Sequence, residues 1–296
     1  MSTPYITPSL LTMLPTGYAW KNLPGVSSGT ADAYQAQLQL CREATAWVDV
    51  YCNQTLRCTS DSEMLTAPGP RVAANAVGGI TIFPTRQPIL SVVKLETRPF
   101  RATEADWTAA DSTNYWTLAA PGLSQLNAGD GTREVQAVGI GIDRRWPDGT
   151  FLIRLTYLNG WPHGGLTAAG TVGTSTLAVD SVLGFTVGET PRIDDGLTYE
   201  IVTVNAITTN ADGVSGTLTL SAPTVYAHGV GTPVTLLPEI VVTETGYYAA
   251  SLAYRKGSLA LAVPSVDGNA QTAKLASGGD WETRVRKDLV PFRRDY

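Results

Sequence analysis

"TADAYQAQLQLCREATAWVDVYCNQ", residues 30–54, decides what kind of fold the chain can adopt. Tyr34, Leu38, Cys41, Thr45, Val48 and Tyr51 recur every three or four positions, which draws one stripe along a helix starting at Thr30. Upstream, "ITPSLLTMLP" (6–15) predicts a short helix: Thr7 can cap it, Pro8 suits the first helical position, and Leu10, Leu11 and Leu14 supply an apolar side. Residues 15–29 are rich in Gly, Pro and Ser and read as a loop.

From residue 62 onward the pattern changes. "EMLTA", "GGITIFP", "PILSVVKLETRP", "NYWTLAA" and "TFLIRLTYLNGWP" read as strands set apart by Pro, Gly and Asp. Residues 166–236 read as an insertion of short Thr/Val strands: "STLAVDS", "FTVGETPRID", "LTYEIVTVNAITT", "SGTLTLS" and "GTPVTLL". Helical signals return in "LPEIVVTETGYYAASLAYRKG" (237–257), with Pro238 and Glu239 at its start, Arg255 and Lys256 near its end, and Gly257 as a stop. Gly246 is its weak point. Residues 258–279 read as an extended arm, and Asp280 as the cap of a last turn or two in which Trp281, Val285 and Leu289 share a face and Pro291 ends the helix.

Composition narrows the function classes. Hydrophobic residues make up 43% of the chain and charged residues only 16%, which points to a surface partly covered by neighbouring subunits. The net charge is −5, and the segment 165–237 accounts for all of it, with Asp180, Glu189, Asp194, Asp195, Glu200 and Asp212 against Arg192. Wrapping DNA needs a basic face, so that class is excluded. Cys41, Cys52 and Cys58 are too few and too irregular for a disulfide framework, and Cys41 falls on the helical face as a small core hydrophobe. No signal peptide and no membrane-length apolar run is expected, so synthesis in a reducing cytosol follows.

Enzymatic constellations are hard to nominate. His163 in "WPHGG" and His228 in "YAHGV" have no companion at ligand spacing, so each reads as a turn or packing residue. No phosphate-cradling loop or nucleophile elbow occurs. Asp194, Asp195 and Glu200 lie close enough to suggest a cation site, but Asp195-Gly196 is also a hairpin turn. Arg144, Arg145 and Trp146 form a basic, aromatic cluster that reads either as a solvated turn or as an inter-subunit contact. "RVRKDLVPFRR" (284–294) interleaves five basic residues with Val285, Leu289, Val290 and Phe292 in an otherwise acidic chain. No catalytic residue, metal or cofactor is assigned.

The order of segments resembles the head-to-tail connector, or adaptor, proteins of long-tailed bacteriophages. "YITPSLL" precedes Ala44, Val48, Asp49, Tyr51 and Cys52 on the long helix. "GGITIFPTRQPILSVVKLE" follows, with Phe83-Pro84-Thr85-Arg86-Gln87-Pro88-Ile89 as its strand link. Then come Tyr157-Leu158-Asn159-Gly160-Trp161 and a helix with Leu252, Tyr254 and Arg255 at its end. The resemblance spans roughly 1–164 and 237–296, and residues 166–236 depart from it.

The resemblance implies an α+β fold: a small helical adaptor core with a β-rich middle, and an inserted all-β domain of sandwich or barrel type. The expected divisions are 1–164, 165–236, 237–278 and 279–296. It also implies a non-enzymatic virion protein of the phage neck, made in the bacterial cytoplasm. Copies would form a ring of about twelve. The ring would bind the portal protein above and a stopper or tail-completion protein below, and DNA would pass through without sequence-specific binding. Portal contacts are expected from Trp281, Arg284, Val285, Arg286, Lys287, Leu289, Phe292, Arg293, Arg294 and Tyr296, and the insert could touch the capsid. An arm of ~20 extended residues reaches up to about 70 Å. The rival readings are a β-rich virion module that binds glycans or a receptor, another tail structural protein, and a wall hydrolase, for which no catalytic carboxylates can be named.

Overall fold

In the computed structural model the described residues are 3–16, 18, 20, 23, 30–74, 80–110, 115–119, 135–140, 150–257 and 276–294. The fold is α+β and divides into two compact units, one of Met1–Leu56 with Pro162–Asp295, the other of Arg57–Trp161.

The first unit begins with α1 (Pro8–Met13), where Thr7 Oγ1 accepts the Leu10 N–H at 3.2 Å, as the sequence predicts. Helix α2 (Thr30–Cys52) follows. Its buried line is Leu40, Cys41, Ala44, Val48 and Cys52, rotated from the expected stripe: Tyr34 is exposed, and Leu38 and Tyr51 are half-buried. Thr45 accepts the Tyr5 N–H instead, at 3.0 Å. Asn53, in the left-handed region at φ 55°, closes the helix.

The second unit is antiparallel sheet. Its strands are β1 (Thr59–Ala67), β2 (Val72–Ala74), β3 (Ile80–Ile82), β4 (Ile89–Pro99), β5 (Thr108–Ala109), β6 (Tyr115–Ala119), β7 (Val135–Ile140) and β8 (Phe151–Asn159). They form two sheets, ordered β1-β8-β4-β5 and β2-β3-β7-β6. Strand β8 is flanked on both sides, and Phe151, Ile153, Leu155 and Tyr157 anchor the core with Leu65, Ile82, Ile89 and Leu95. Glu63 organises the β3–β4 link. Its carboxylate accepts from Arg71 Nη1 at 2.6 Å, Thr85 Oγ1 at 2.7 Å, Thr85 N–H at 2.8 Å and the Tyr157 hydroxyl.

The chain then returns to the first unit through β9 (His163–Gly165), β10 (Thr176–Val179), β11 (Arg192–Asp194), β12 (Tyr199–Ile201), β13 (Val204–Thr209), β14 (Gly216–Leu220) and β15 (Pro233–Thr235). These make two sheets, β12-β11-β15-β9 and β10-β14-β13, around Leu177, Val179, Ile193, Val204, Leu218 and Val234. The stretch "LTYEIVTVNAITT", expected as one strand, is two strands in different sheets. Burial alternates without a break from Glu200 to Val204, which is why one strand is expected, but residues 202 and 203 belong to neither strand and carry the chain from one sheet to the other.

Helix α3 (Glu239–Gly257) matches its expected bounds. It is buried on nearly every side. Gly246 is not a weak point: a Cβ there would lie 2.2 Å from Leu14 Cδ1 and 2.6 Å from Ile6 Cδ1, so its smallness lets the N-terminal segment close on the helix. Helix α4 (Ala276–Asp288) is longer than expected and is followed by a 3₁₀ turn, Val290–Phe292. Asp280 therefore lies inside the helix instead of capping it. Among the described residues no helix is long and apolar enough to cross a membrane.

Candidate functional site: the C-terminal helix on its aromatic seat

The C-terminal segment is amphipathic, and the structure shows where each half goes. Val285, Leu289 and Phe292 are buried within the first unit, as α4 packs on α3 and the segment's end bonds to the C-terminal end of α2. Burying three such side chains contributes about 1.5–3 kcal/mol each. These three portal-contact candidates thus pack against their own chain.

Polar contacts lock the segment in place. Tyr51 Oη donates to the Arg286 carbonyl at 2.6 Å, and Gln54 Nε2 donates to the Phe292 carbonyl at 3.1 Å. The Arg294 N–H donates to the Cys52 carbonyl at 2.9 Å, and Asn53 Nδ2 donates to the Arg294 carbonyl at 3.1 Å. The αL turn at Asn53 thereby binds the C-terminal stretch.

The arginines stand on aromatic faces. Trp47 stacks on Tyr248, with centroids 3.8 Å apart, and on Tyr51, at 5.2 Å. Arg286 lies 5.1 Å from the Trp47 centroid, Arg293 lies 5.7 Å from that of Tyr51, and Arg284 lies 4.4 Å from that of Tyr247. Trp281, half-buried, packs edge-on against Tyr254 at 5.5 Å. The sequence reading missed this seat. Its signal was present in Trp47 and Tyr51, one turn apart on α2, and in the adjacent Tyr247 and Tyr248.

Charge pairing fixes the rest. Arg284 Nη2 lies 3.0 Å from Glu244 Oε1, and the Glu244 side chain is only 1% exposed. Burial pushes the Glu244 carboxyl above its ordinary value, and the attraction of Arg284 only partly offsets this. Arg286 pairs with Glu282 at 2.7 Å, and Arg255 pairs with the same carboxylate. Lys287 is exposed and makes no ion pair among the described residues. The outward surface is therefore Arg284, Arg286, Lys287 and Arg293, with Val290 between them. Arg144, Arg145, Trp146, Tyr296 and the arm residues 258–275 lie outside the described residues.

The other candidates have structural partners. His163 is buried, with Nε2 3.2 Å from the Pro4 carbonyl and Nδ1 2.9 Å from Thr235 Oγ1. His228 is buried between Glu200 Oε1 at 2.5 Å and Asp195 Oδ2 at 3.4 Å. Asp195 caps its turn by accepting the Leu197 and Thr198 N–H groups, and Asp194 accepts the Gly196 N–H. Asp194 and Asp195 thus serve the hairpin turn, while Asp195 and Glu200 meet on the His228 ring, and no cluster able to hold a metal occurs among the described residues. Cys41, Cys52 and Cys58 are buried and form no disulfide, and burial pushes the Cys41 thiol up to about 12.

A groove of about 680 Å³ runs between the N-terminal segment, α2 and the β module, lined by Pro4, Tyr34, Leu38, Arg42 and Val230 among others. Comparison with protein-family models, with curated proteins and with solved structures finds no match.

Proposed function

We propose that the chain is a structural head-to-tail adaptor of a phage neck, with the basic face of α4 as its contact to the portal protein. The observation that supports this most is the division of labour in α4. It packs on α3, and its backbone and that of the segment after it bond to the end of α2, the two helices that carry the resemblance, while Arg284, Arg286 and Lys287, with Arg293 just beyond the helix, face outward. Arginines braced on aromatic rings lose less side-chain freedom on binding than mobile ones, so this face is pre-organised for an acidic partner. Under this reading the helical part is the adaptor core and the β module between β9 and β15 is the inserted domain. The acidic insert then stands towards the capsid or the channel, and a stopper protein takes the opposite side of the ring.

The test uses portal-bearing, DNA-filled, tailless heads. Full-length protein and a K287E/R293E variant are mixed with heads, sedimented and counted. The expected result is about twelve bound copies per head for the wild type and at least a tenfold weaker affinity for the variant. Point changes are preferable to truncation at Gly278, because truncation removes Val285, Leu289 and Phe292 from the protein's own core. Equal binding of both proteins discards the α4 contact, and no binding by either discards the adaptor reading.

The alternative, a glycan- or receptor-binding module, has the groove beside Tyr34 and Arg42 in its favour. Saturable glycan binding that Tyr34→Ala abolishes would select it.

A further inference from the structure

We propose that His228 is a proton-operated clasp in the β module: as an imidazolium it ties the turn between β11 and β12 to the segment 224–232, and loss of one ring proton loosens that tie at the wall of the groove. His228 is anchored through its backbone, whose N–H and C=O both bond to Gly170 at 2.9 Å. Its side chain is fully enclosed. Nε2 lies 2.5 Å from Glu200 Oε1 on β12. Nδ1 lies 3.4 Å from Asp195 Oδ2 and 3.4 Å from Thr198 Oγ1, both in the turn that leads into β12.

The placement of donors and acceptors decides the charge of the ring. The Glu200 carboxylate accepts on both oxygens, from Nε2 and from the Val225 N–H at 2.8 Å. Thr198 has one hydroxyl proton and commits it to Asp195 Oδ2 at 2.9 Å, which leaves a lone pair towards Nδ1. Asp195 is an acceptor too. Burial acts to raise its carboxyl, but hydrogen bonds from Thr198, Leu197 and His228 outweigh this and hold it below its ordinary 3.8. Among the described residues every atom in reach of either nitrogen is therefore an acceptor, and only the imidazolium has a donor for each. His163 is the contrasting case. Its Nε2 faces the Pro4 carbonyl, while its Nδ1 faces Thr235 Oγ1, which accepts the Leu237 N–H at 3.0 Å and keeps its own proton for the ring. One ring proton satisfies those contacts.

Nothing else around His228 substitutes for its charge. The stretch 167–174, which holds Gly170, contains no ionisable side chain, and 224–232 adds only Tyr226, which is 43% exposed. On β11, Arg192 and Asp194 lie on the face of the sheet opposite Ile193 and Glu200. When the ring gives up a proton, the shorter Nε2 contact keeps its own and Nδ1 loses one. The Thr198 hydroxyl then swings to Nδ1, and Asp195 Oδ2 loses both of its donors. Two carboxylates remain with no cation between them, and the turn is pushed off the segment 224–232. Asp195 and Leu197 line the groove together with Gly229, Val230 and Gly231, so the proton sets the shape of that wall. The inference does not rest on the adaptor reading, because it is tested on purified protein without heads.

The chain has two histidines, so nitrogen labelling of histidine in the full chain reports each ring by NMR. The variant is Asp195→Asn, whose amide oxygen keeps the caps on Leu197 and Thr198 and whose NH₂ turns the acceptor facing Nδ1 into a donor. It shifts the His228 signals and thereby assigns them. Ring shifts and amide exchange, corrected for intrinsic rates, are followed from about pH 5.5 to about pH 8.5, a range in which histidine changes charge. The expected wild-type result is a His228 ring with both nitrogens protonated at the acid end that loses the Nδ1 proton on the way up. Over the same range the protection of 224–232 falls at least about tenfold relative to β10 and β14. In Asp195→Asn the ring carries one proton throughout and protection stays level. A wild-type His228 ring with one proton at every pH overturns the proposal. So does protection of 224–232 that merely follows β10 and β14, or a wild-type pH dependence that persists in Asp195→Asn. If the variant misfolds, the two wild-type readouts decide on the same criteria.

Discussion

Helices α3 and α4 lie side by side and bury themselves in different ways. Helix α3 is wrapped on nearly all sides, and Gly246, Ala249, Ala250 and Ala253 keep it narrow so that neighbours can close on it. Over residues 281–294, α4 and the turn after it bury Val285, Leu289 and Phe292 and leave Arg284, Arg286, Lys287 and Arg293 exposed. A helix enclosed all round carries the fold, whereas one buried on a single face has a second face free for a partner. If the adaptor reading proposed above holds, α4 would carry the portal contact and α3 would support it.

Two substitutions probe the apolar sides of this pair. Leu289→Ala removes a fully buried side chain from the α4 seat and is expected to lower stability by about 2–5 kcal/mol in urea unfolding. A loss below about 0.5 kcal/mol, the scale of a surface change, would mean that α4 does not hold to the bundle in solution. Gly246→Ala tests α3. The new methyl meets Leu14 and Ile6 while the helix gains about 1 kcal/mol of intrinsic preference. A net loss of about 1–2 kcal/mol is expected, because a crowded core resists added volume. A gain in stability would break the comparison, since it would show that the N-terminal segment does not seat against α3.

The residues that were legible in the sequence are those whose signal is local. Thr7 and Pro8 announce α1, and Pro238, Glu239, Arg255 and Gly257 bracket α3 within a residue. These depend on backbone groups a few positions away. The stripe on α2 was misplaced, because Thr45 and Tyr51 answer to Tyr5 and to the Arg286 carbonyl, partners far along the chain. Gly246 was misread for the same reason: what a missing Cβ makes room for is decided by Ile6 and Leu14. The basic character of residues 284–294 was plain, but periodicity alone could not say whether Val285, Leu289 and Phe292 face their own chain or a partner. The aromatic seat needed two helices from opposite ends of the sequence to be placed together.

The polar joint between α3 and α4 gives the smaller effects. Arg284 is about half exposed and Glu244 is enclosed. Arg284→Ala leaves a buried carboxylate without its partner, and a loss of about 1–2 kcal/mol is expected after discounting for solvent screening on the arginine side. Glu244→Gln should behave differently. Burial, reinforced by Asp288, holds the Glu244 carboxyl above its ordinary 4.5 despite Arg284, so the folded protein binds this proton more tightly than the unfolded chain. The stability linked to this group is therefore fully present below pH 4.5 and is lost as the pH rises through the folded value. Glutamine removes that loss. Glu244→Gln is expected to be at least as stable as wild type at pH 7, with its advantage closing by about pH 4. Urea unfolding at both pH values checks the sign. If the variant is clearly weaker at pH 7, the ion pair outweighs the cost of enclosing the carboxylate, and α4 is held by attraction to Glu244 as well as by its apolar face. If it is equal or stronger, Arg284 serves mainly to neutralise Glu244 and is freer to engage a partner's acidic groups.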